Sequence, residues 1–353
     1  MTLQTVADKV GVSRMTVSNA FSRPDQLSDE LRKKILAAAG ELGYWGPDPS
    51  ARALARGRTG AVGVMLTDSL EYAFTDQYAT DVMAAITSEL APTGLALTLL
   101  TAVSPSESLA ARDLPLDGAM VLACSDSSES IDWLRRRRLP MVFVDQEPDT
   151  DVTSVNIDEL GGARAAAEHV VQLGHTRIAV VTTHQAEPLG PMPVEALAHA
   201  TQTTRTRTMG WIDVLAEHGI SPIVMNAVRP NEESGAAIAE QLLDVDGDRV
   251  TAILCFSDTI ASGVLRTARR LGIDVPGDLS VVGYDDMRFS ATTTPPLTTV
   301  HQDVEGKGRT AVALLKQLID NKAAGEELEP VHVVLPTHLV VRESTAPVRS
   351  LAR

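Results

Sequence analysis

From Ala61 onward the chain alternates short, unbroken apolar runs with segments of helical periodicity, and the alternation starts twice. In the first round, residues 62–66, 95–100, 116–122 and 140–144 read as strands, with helices over 80–93 and 133–138. In the second, helices over 160–173, 208–218, 233–243 and 259–271 surround strands at 177–181, 224–228, 252–256 and 279–282. Unbroken apolar strands are buried on both faces. Strands separated by helices build a parallel sheet covered on both sides. Two rounds therefore predict an α/β body of two lobes over residues 61–342. The first lobe is expected at about 61–159 and 301–327, the second at about 160–298 and 330–342. Crossovers are expected near 158–160, 298–302 and 327–330. The helix at 304–321 would return to the first lobe and the strand at 331–335 to the second, leaving a polar tail at 343–353.

The 353 residues, 44% of them apolar, supply more than one core. No apolar run reaches about 18 residues, so no membrane span is expected. No basic segment followed by an apolar stretch opens the chain, which predicts a cytoplasmic protein. Cys124 and Cys255 lie in separate apolar runs without metal-ligand spacing and read as reduced thiols. No metal and no cofactor are expected.

Residues 1–46 follow a different rule. Thr2 can cap a first helix whose Leu3, Val6, Ala7 and Val10 share one face. Gly11 interrupts, Ser13 caps a second helix over 14–21, and Ser28 caps a third that carries Leu31, Ile35, Leu36, Ala39 and Leu42 and ends at Gly43. Three short helices on one small core form a helix-turn-helix head. Its second helix would enter the major groove of double-stranded DNA, with Arg14, Met15 and Asn19 projecting toward base edges and Thr16 and Ser18 reaching bases or phosphates. Thr2, Ser13, Ser22 and Ser28 read as hydroxyls at helix starts, suited to phosphate. Charge supports the division. Residues 1–60 hold nine Lys/Arg against six Asp/Glu, a net +3, whereas the remainder holds 22 against 40, a net −18. Only the head presents a face that suits a polyanion.

The run Thr2-Leu3-Gln4-Thr5-Val6-Ala7, followed by Gly11-Val12-Ser13, Thr16-Val17-Ser18 and Leu42-Gly43-Tyr44, resembles the N-terminal signature of the lactose/galactose repressor family. The likeness continues to about residue 342. It implies a sequence-specific transcriptional regulator, most simply a repressor, with a two-lobed effector domain similar to periplasmic sugar-binding proteins. It also implies a homodimer on operator DNA and a sugar-like small-molecule effector. The basic connector at 47–60 would be a hinge helix that orders on DNA, with Leu54 wedged between base pairs of the minor groove and Arg52 near phosphates. A helix this short is unstable alone. No heptad-bearing tail follows, so a dimer rather than a tetramer is expected.

Ligands of open α/β sheets sit beyond the carboxyl ends of the strands. Phe74, Asp76, Asp145, Ser257 and Asp285 fall there, and Arg207 precedes Gly210-Trp211. Such groups suit a polyhydroxylated ligand, because carboxylates and guanidinium bond vicinal hydroxyls and rings cover apolar sugar faces. By resemblance, Arg207 and Asp285 fall on the family's effector-contacting arginine and aspartate and Asp145 on a pocket aspartate. Ser257 stands where the lactose repressor has an asparagine. Asp258 suits a helix cap as well as a ligand contact. His175 in Leu173-Gly174-His175 reads as part of a helix end, and Arg135–Arg138 as a solvated helix end. No Walker loop, HExxH or phosphate-binding glycine loop is present, so enzyme readings find no support.

Overall fold

The computed structural model describes every residue except 47, 49–52, 54–56, 67–69, 102–107, 123–128, 147–150, 245–248, 327 and 350–353. The chain divides into two compact units, Met1–Gly60 with Pro115–Asp117, and Ala61–Leu114 with Gly118–Arg353.

The head is three helices: α1 (Leu3–Val10), α2 (Arg14–Ser22) and α3 (Asp29–Glu41). Thr2, Ser13 and Ser28 each accept the amide three residues on, satisfying a donor that the helix leaves without a partner. At the end of α3, Gly43 turns with φ 67°, and the Tyr44 amide donates back to the Ala39 carbonyl at 2.8 Å. The core is Val6, Ala7, Val17, Ala20, Ile35, Ala39 and Tyr44, with Phe21 meeting the Tyr44 ring edge-on. Ser22 corrects the sequence reading. It does not start a helix but closes α2, and its hydroxyl donates to the Ser18 carbonyl at 2.8 Å. A serine suits either end of a helix, because its hydroxyl bonds the carbonyl one turn back as readily as a downstream amide.

The body follows as β1 (Ala61–Leu66), α4 (Leu70–Thr75), α5 (Gln77–Leu90), β2 (Ala96–Thr101), α6 (Ser108–Asp113), β3 (Gly118–Leu122), α7 (Glu129–Arg136), β4 (Met141–Val144) and β5 (Thr153–Ile157). The second round is α8 (Glu159–Gln172), β6 (Ile178–Thr182), β7 (Gly190–Pro191), α9 (Gln202–Glu217), β8 (Ile223–Asn226), α10 (Glu232–Leu243), β9 (Ala252–Cys255), α11 (Asp258–Arg270), β10 (Ser280–Asp285) and β11 (Thr298–Gln302). The chain ends with α12 (Val304–Ala324), β12 (His332–Leu335) and β13 (Thr337–Val340). The first sheet runs β12-β5-β4-β3-β1-β2, all parallel. The second runs β13-β11-β10-β9-β6-β8-β7, parallel except for its two edge strands.

The return strand differs from the expected one. Residues 331–335 do not join the second lobe: β12 pairs with β5 of the first sheet, from His332 opposite Ser154 to Leu335 opposite Ile157. The strand that reaches the second sheet is β13, antiparallel to β11. Hence the last crossover is at Pro336 and not near 327–330, and β11 belongs to the second lobe. An apolar run states that it is a strand but carries no address for its sheet. The described part of the tail, residues 343–349, packs on the second lobe. The Ser344 side chain is fully buried and donates to the Val281 carbonyl at 2.6 Å, and the Val348 amide donates to Leu173. His175, at the end of α8, bonds Thr251, Ser280 and the Ala346 carbonyl, which fixes this strap against the second lobe.

The three crossovers lie side by side. The Asp158 amide donates to the Leu335 carbonyl, and the Thr337 hydroxyl donates to the Asp158 carbonyl, both at 2.9 Å. Gly162 keeps this junction close. A Cβ there would meet the Tyr284 hydroxyl at 2.6 Å and the Thr337 hydroxyl at 2.7 Å. Among the described residues, no helix is long and apolar enough to cross a membrane.

Candidate functional site

The outward face of the head begins at the α2 N-terminus. Arg14 and Met15 are exposed in the first turn, Met15 to 71% although it is a large apolar side chain. Thr16 lies beside the Ser13 cap at 2.8 Å between hydroxyls, and Ser18 is half-buried. The Asn19 amide donates to Gln26 at 3.1 Å, a partner that sequence alone did not suggest. Thr2 and Ser28 are exposed caps of the other two helices. Arg52 and Leu54 lie outside the described residues.

In the body, a cleft of about 900 Å3 separates the lobes. Thr75, Asp76 and Gln77 line it from the first lobe, and Arg229, Asn231 and Phe289 are among the residues that line it from the second. Asp76 also caps α5 by accepting the Ala79 amide at 2.8 Å. Phe74, expected beside it, is 68% exposed and does not line the cleft. Asp145, Arg207, Ser257 and Asp285 do not line this opening either. Arg207, Ser257 and Asp285 are buried and Asp145 is half-buried, with Asp145, Arg207 and Asp285 gathered in one polar cluster close to the three crossovers.

In that cluster, Arg207 is 3% exposed on α9. Its Nε and Nη2 donate to both oxygens of Glu159 at 2.8 and 2.9 Å, and its Nη1 donates to the Phe256 carbonyl at 2.5 Å and reaches Asp285 at 3.5 Å. The guanidinium stacks over Tyr284, 3.4 Å from the ring centroid, and near Phe256 at 4.5 Å. Gln302, at the end of β11, donates to Asp285 at 2.7 Å and accepts from Lys307 at 2.8 Å. Lys307 is 0% exposed on α12 and also donates to Asp145 and to the Tyr78 hydroxyl, each at 2.6 Å. The Tyr78 hydroxyl in turn makes a short bond to the second oxygen of Asp145. One chain of polar groups thus runs from Tyr78 and Asp145 in the first lobe to Asp285, Arg207 and Glu159 in the second.

Burial and charge shape this chain. Burial, reinforced by the Asp145 carboxylate, raises the Tyr78 hydroxyl well above its ordinary range and keeps it neutral. Burial likewise raises Asp285 well above the carboxylate range, against the opposing pull of Arg207. Burial acts to lower Arg207, but Glu159, Tyr284 and Asp285 outweigh it and hold the guanidinium charged. Backbone strain collects at the same strand ends. Asp145 has φ 53°, Asp285 φ 107° and Asp286 φ 54°, conformations that non-glycine residues rarely adopt.

Ser257 caps α11 by accepting the Ile260 amide at 3.2 Å. Its neighbour Asp258 is no cap. Its carboxylate accepts the Met287 amide and the hydroxyls of Ser290 and Thr299 at 2.5 to 2.7 Å, and burial pushes its pKa up to about 7. Asp286 pairs with Arg342 at 2.6 Å and His301 at 2.9 Å. Sequence reasoning missed Tyr78, Glu159, Gln302 and Lys307. Lys307 had a signal: it occupies the apolar stripe of α12, in register with Ala311, Leu315 and Ile319. Among the described residues, no group of His, Cys, Asp and Glu is arranged to hold a metal ion. Fixed donors and acceptors gathered beside the crossovers suit the recognition of a hydroxylated small molecule.

The head, residues 2–46, matches the model of the bacterial regulatory proteins of the lacI family, and residues 167–345 match a periplasmic binding protein-like domain. A transcriptional regulator of the helix-turn-helix type from Mycolicibacterium smegmatis is 37% identical over 98% of this chain and 96% of its own length. Among solved structures, a lac repressor dimer bound to operator and the anti-inducer ONPF superposes with TM-score 0.76 at 28% identity, over 98% of this chain and 99% of that one. The transcriptional regulator CelR in complex with cellobiose does so with TM-score 0.69 at 28% identity over the same shares. These relatives are named as regulators of transcription and not as enzymes. The chain belongs to the lacI family of bacterial regulatory proteins.

Proposed function

We propose that this protein is a transcriptional repressor whose hold on operator DNA is set by a sugar-like molecule bound between the lobes of its body. The observation that carries the reading is the buried chain of polar groups that joins Asp145 of one lobe to Asp285 and Arg207 of the other through Lys307 and Gln302. A ligand that bonds both ends has a different affinity for each lobe angle, which is the requirement for a ligand-driven shift. Asp76 lies at the open cleft, while Ser257 supports α11 near Phe256; Phe74 contributes little to such a contact.

The head, residues 1–46, would read DNA through Arg14, Met15 and Asn19, with Thr16 and Ser18 at bases or phosphates and Thr2, Ser13 and Ser28 at phosphates. Residues 47–60 would act as the hinge, with Leu54 as the minor-groove wedge and Arg52 beside it. A homodimer would place two heads on a nearly palindromic site. Coupling of about 1–3 kcal/mol between cleft and head would change operator affinity roughly 5–150-fold.

The test is to select duplexes from a random pool with the purified full chain, then titrate the enriched duplex with and without ribose, cellobiose and other sugars. An enriched near-palindrome whose affinity changes with a sugar is expected, and linkage requires the duplex to change that sugar's affinity by the same factor. If no duplex is enriched over random DNA in any of these conditions, the proposal fails.

A further inference from the structure

Lys307 is the only buried lysine among the described residues. An aliphatic side chain at this position would simply extend the apolar stripe of α12, whereas a buried ammonium is costly unless fully paired. Here it is fully paired, because three acceptors take its three N–H groups: Tyr78, Asp145 and Gln302. The cluster's other cation, Arg207, is tied to both oxygens of Glu159. Three carboxyl groups, Asp145, Glu159 and Asp285, thus face two cations that are already engaged. What remains for a ligand is acceptor capacity. The hydroxyls of a neutral polyol can donate to it. A phosphate must instead displace Asp145 from Lys307 and approach Glu159 with like charge.

We propose that Lys307 is a specificity-determining residue of the polar cluster that joins the lobes: locked to Asp145, it closes the site to phosphorylated effectors and leaves it to uncharged polyhydroxylated ones. The inference rests on the reading of this polar cluster as the effector site.

The experiment compares ribose with ribose 5-phosphate, glucose with glucose 6-phosphate, and cellobiose with its monophosphate, using the full-length chain. Thermal shift is read first, then calorimetric titration. For the wild type, at least one uncharged sugar is expected to bind at least tenfold more tightly than its monophosphate. In Asp145→Asn the ammonium loses its resident anion, and the monophosphate should gain at least tenfold relative to the parent sugar. Adding Lys307→Met to Asp145→Asn should abolish that gain. A wild type that binds a monophosphate as tightly as the parent sugar overturns the proposal while leaving the effector site standing. So does an Asp145→Asn variant with an unchanged ratio. If none of these compounds shifts the wild type, the sugar-site reading falls and this proposal falls with it.

Discussion

In the head, the side chains proposed to meet DNA come from within the first 28 residues and surround a core of seven apolar side chains. In the polar floor beside the three crossovers, Tyr78, Asp145, Glu159, Arg207, Asp285, Gln302 and Lys307 converge from across more than 200 residues and are largely withdrawn from solvent. The head's polar groups cost almost nothing to place, since water solvates them and each helix needs only its own cap. The floor's polar groups are tolerable only together, because each buried charge depends on its neighbours for compensation. Errors therefore propagate differently. A lost side chain weakens the head by its own contribution, whereas a lost partner in the floor leaves the remaining charges buried and unpaired.

The largest expected effect follows from that contrast. Arg207→Ala strands Glu159 and Asp285 and should lower the unfolding free energy of the body by about 3–5 kcal/mol in urea denaturation. A loss below about 1 kcal/mol would mean that the floor is not interdependent. Next, Ile35→Ala opens a cavity in the head core and should cost about 2–5 kcal/mol there. So small a unit has little stability to spare, so binding to the selected duplex should disappear while the body's melting transition and its response to sugar stay in place. Loss of both transitions would contradict the separation of the two units.

A third, smaller effect concerns pH. Burial raises Asp258 from its ordinary 3.8 to about 7, so the native state holds this proton more tightly than the unfolded chain does. The associated stability is complete below about pH 3.8 and is lost as pH rises toward 7, by about 2 kcal/mol between pH 5 and pH 7. Asp258→Asn should flatten this part of the stability–pH profile, and an unchanged slope would refute the assignment. The smallest effect belongs to the head: Ser13→Ala removes the α2 cap and should cost about 1 kcal/mol, seen as a lower midpoint of the head transition alone.

How much of this could be read in advance depended on distance along the chain. The caps Thr2, Ser13 and Ser28 and the glycine end of α3 are local chemistry, and the residues stated them. Ser22 misled because its hydroxyl has two local uses. Most strands of the body were recognisable from their apolar runs, but β5 and β11 were not, since Thr, Ser and Asn interrupt the one and Thr, His and Gln the other, nor were the short edge strands β7 and β13. Arg207, Asp145 and Asp285 came from the family resemblance and not from periodicity. Glu159 and Gln302 had no signal of their own, being ordinary polar residues at helix and strand ends until the crossovers bring them beside Arg207 and Lys307.

Two facts were written in the order of residues: a basic helix-turn-helix head and an α/β body built in two rounds. Both follow from interactions within a turn of helix or a single strand, where spacing is the whole of the physics. Which sheet β12 joins, and which carboxylate each buried cation holds, were settled only on folding. Those choices depend on contacts between residues far apart in the chain and on the dielectric of a site that does not exist until the lobes have formed.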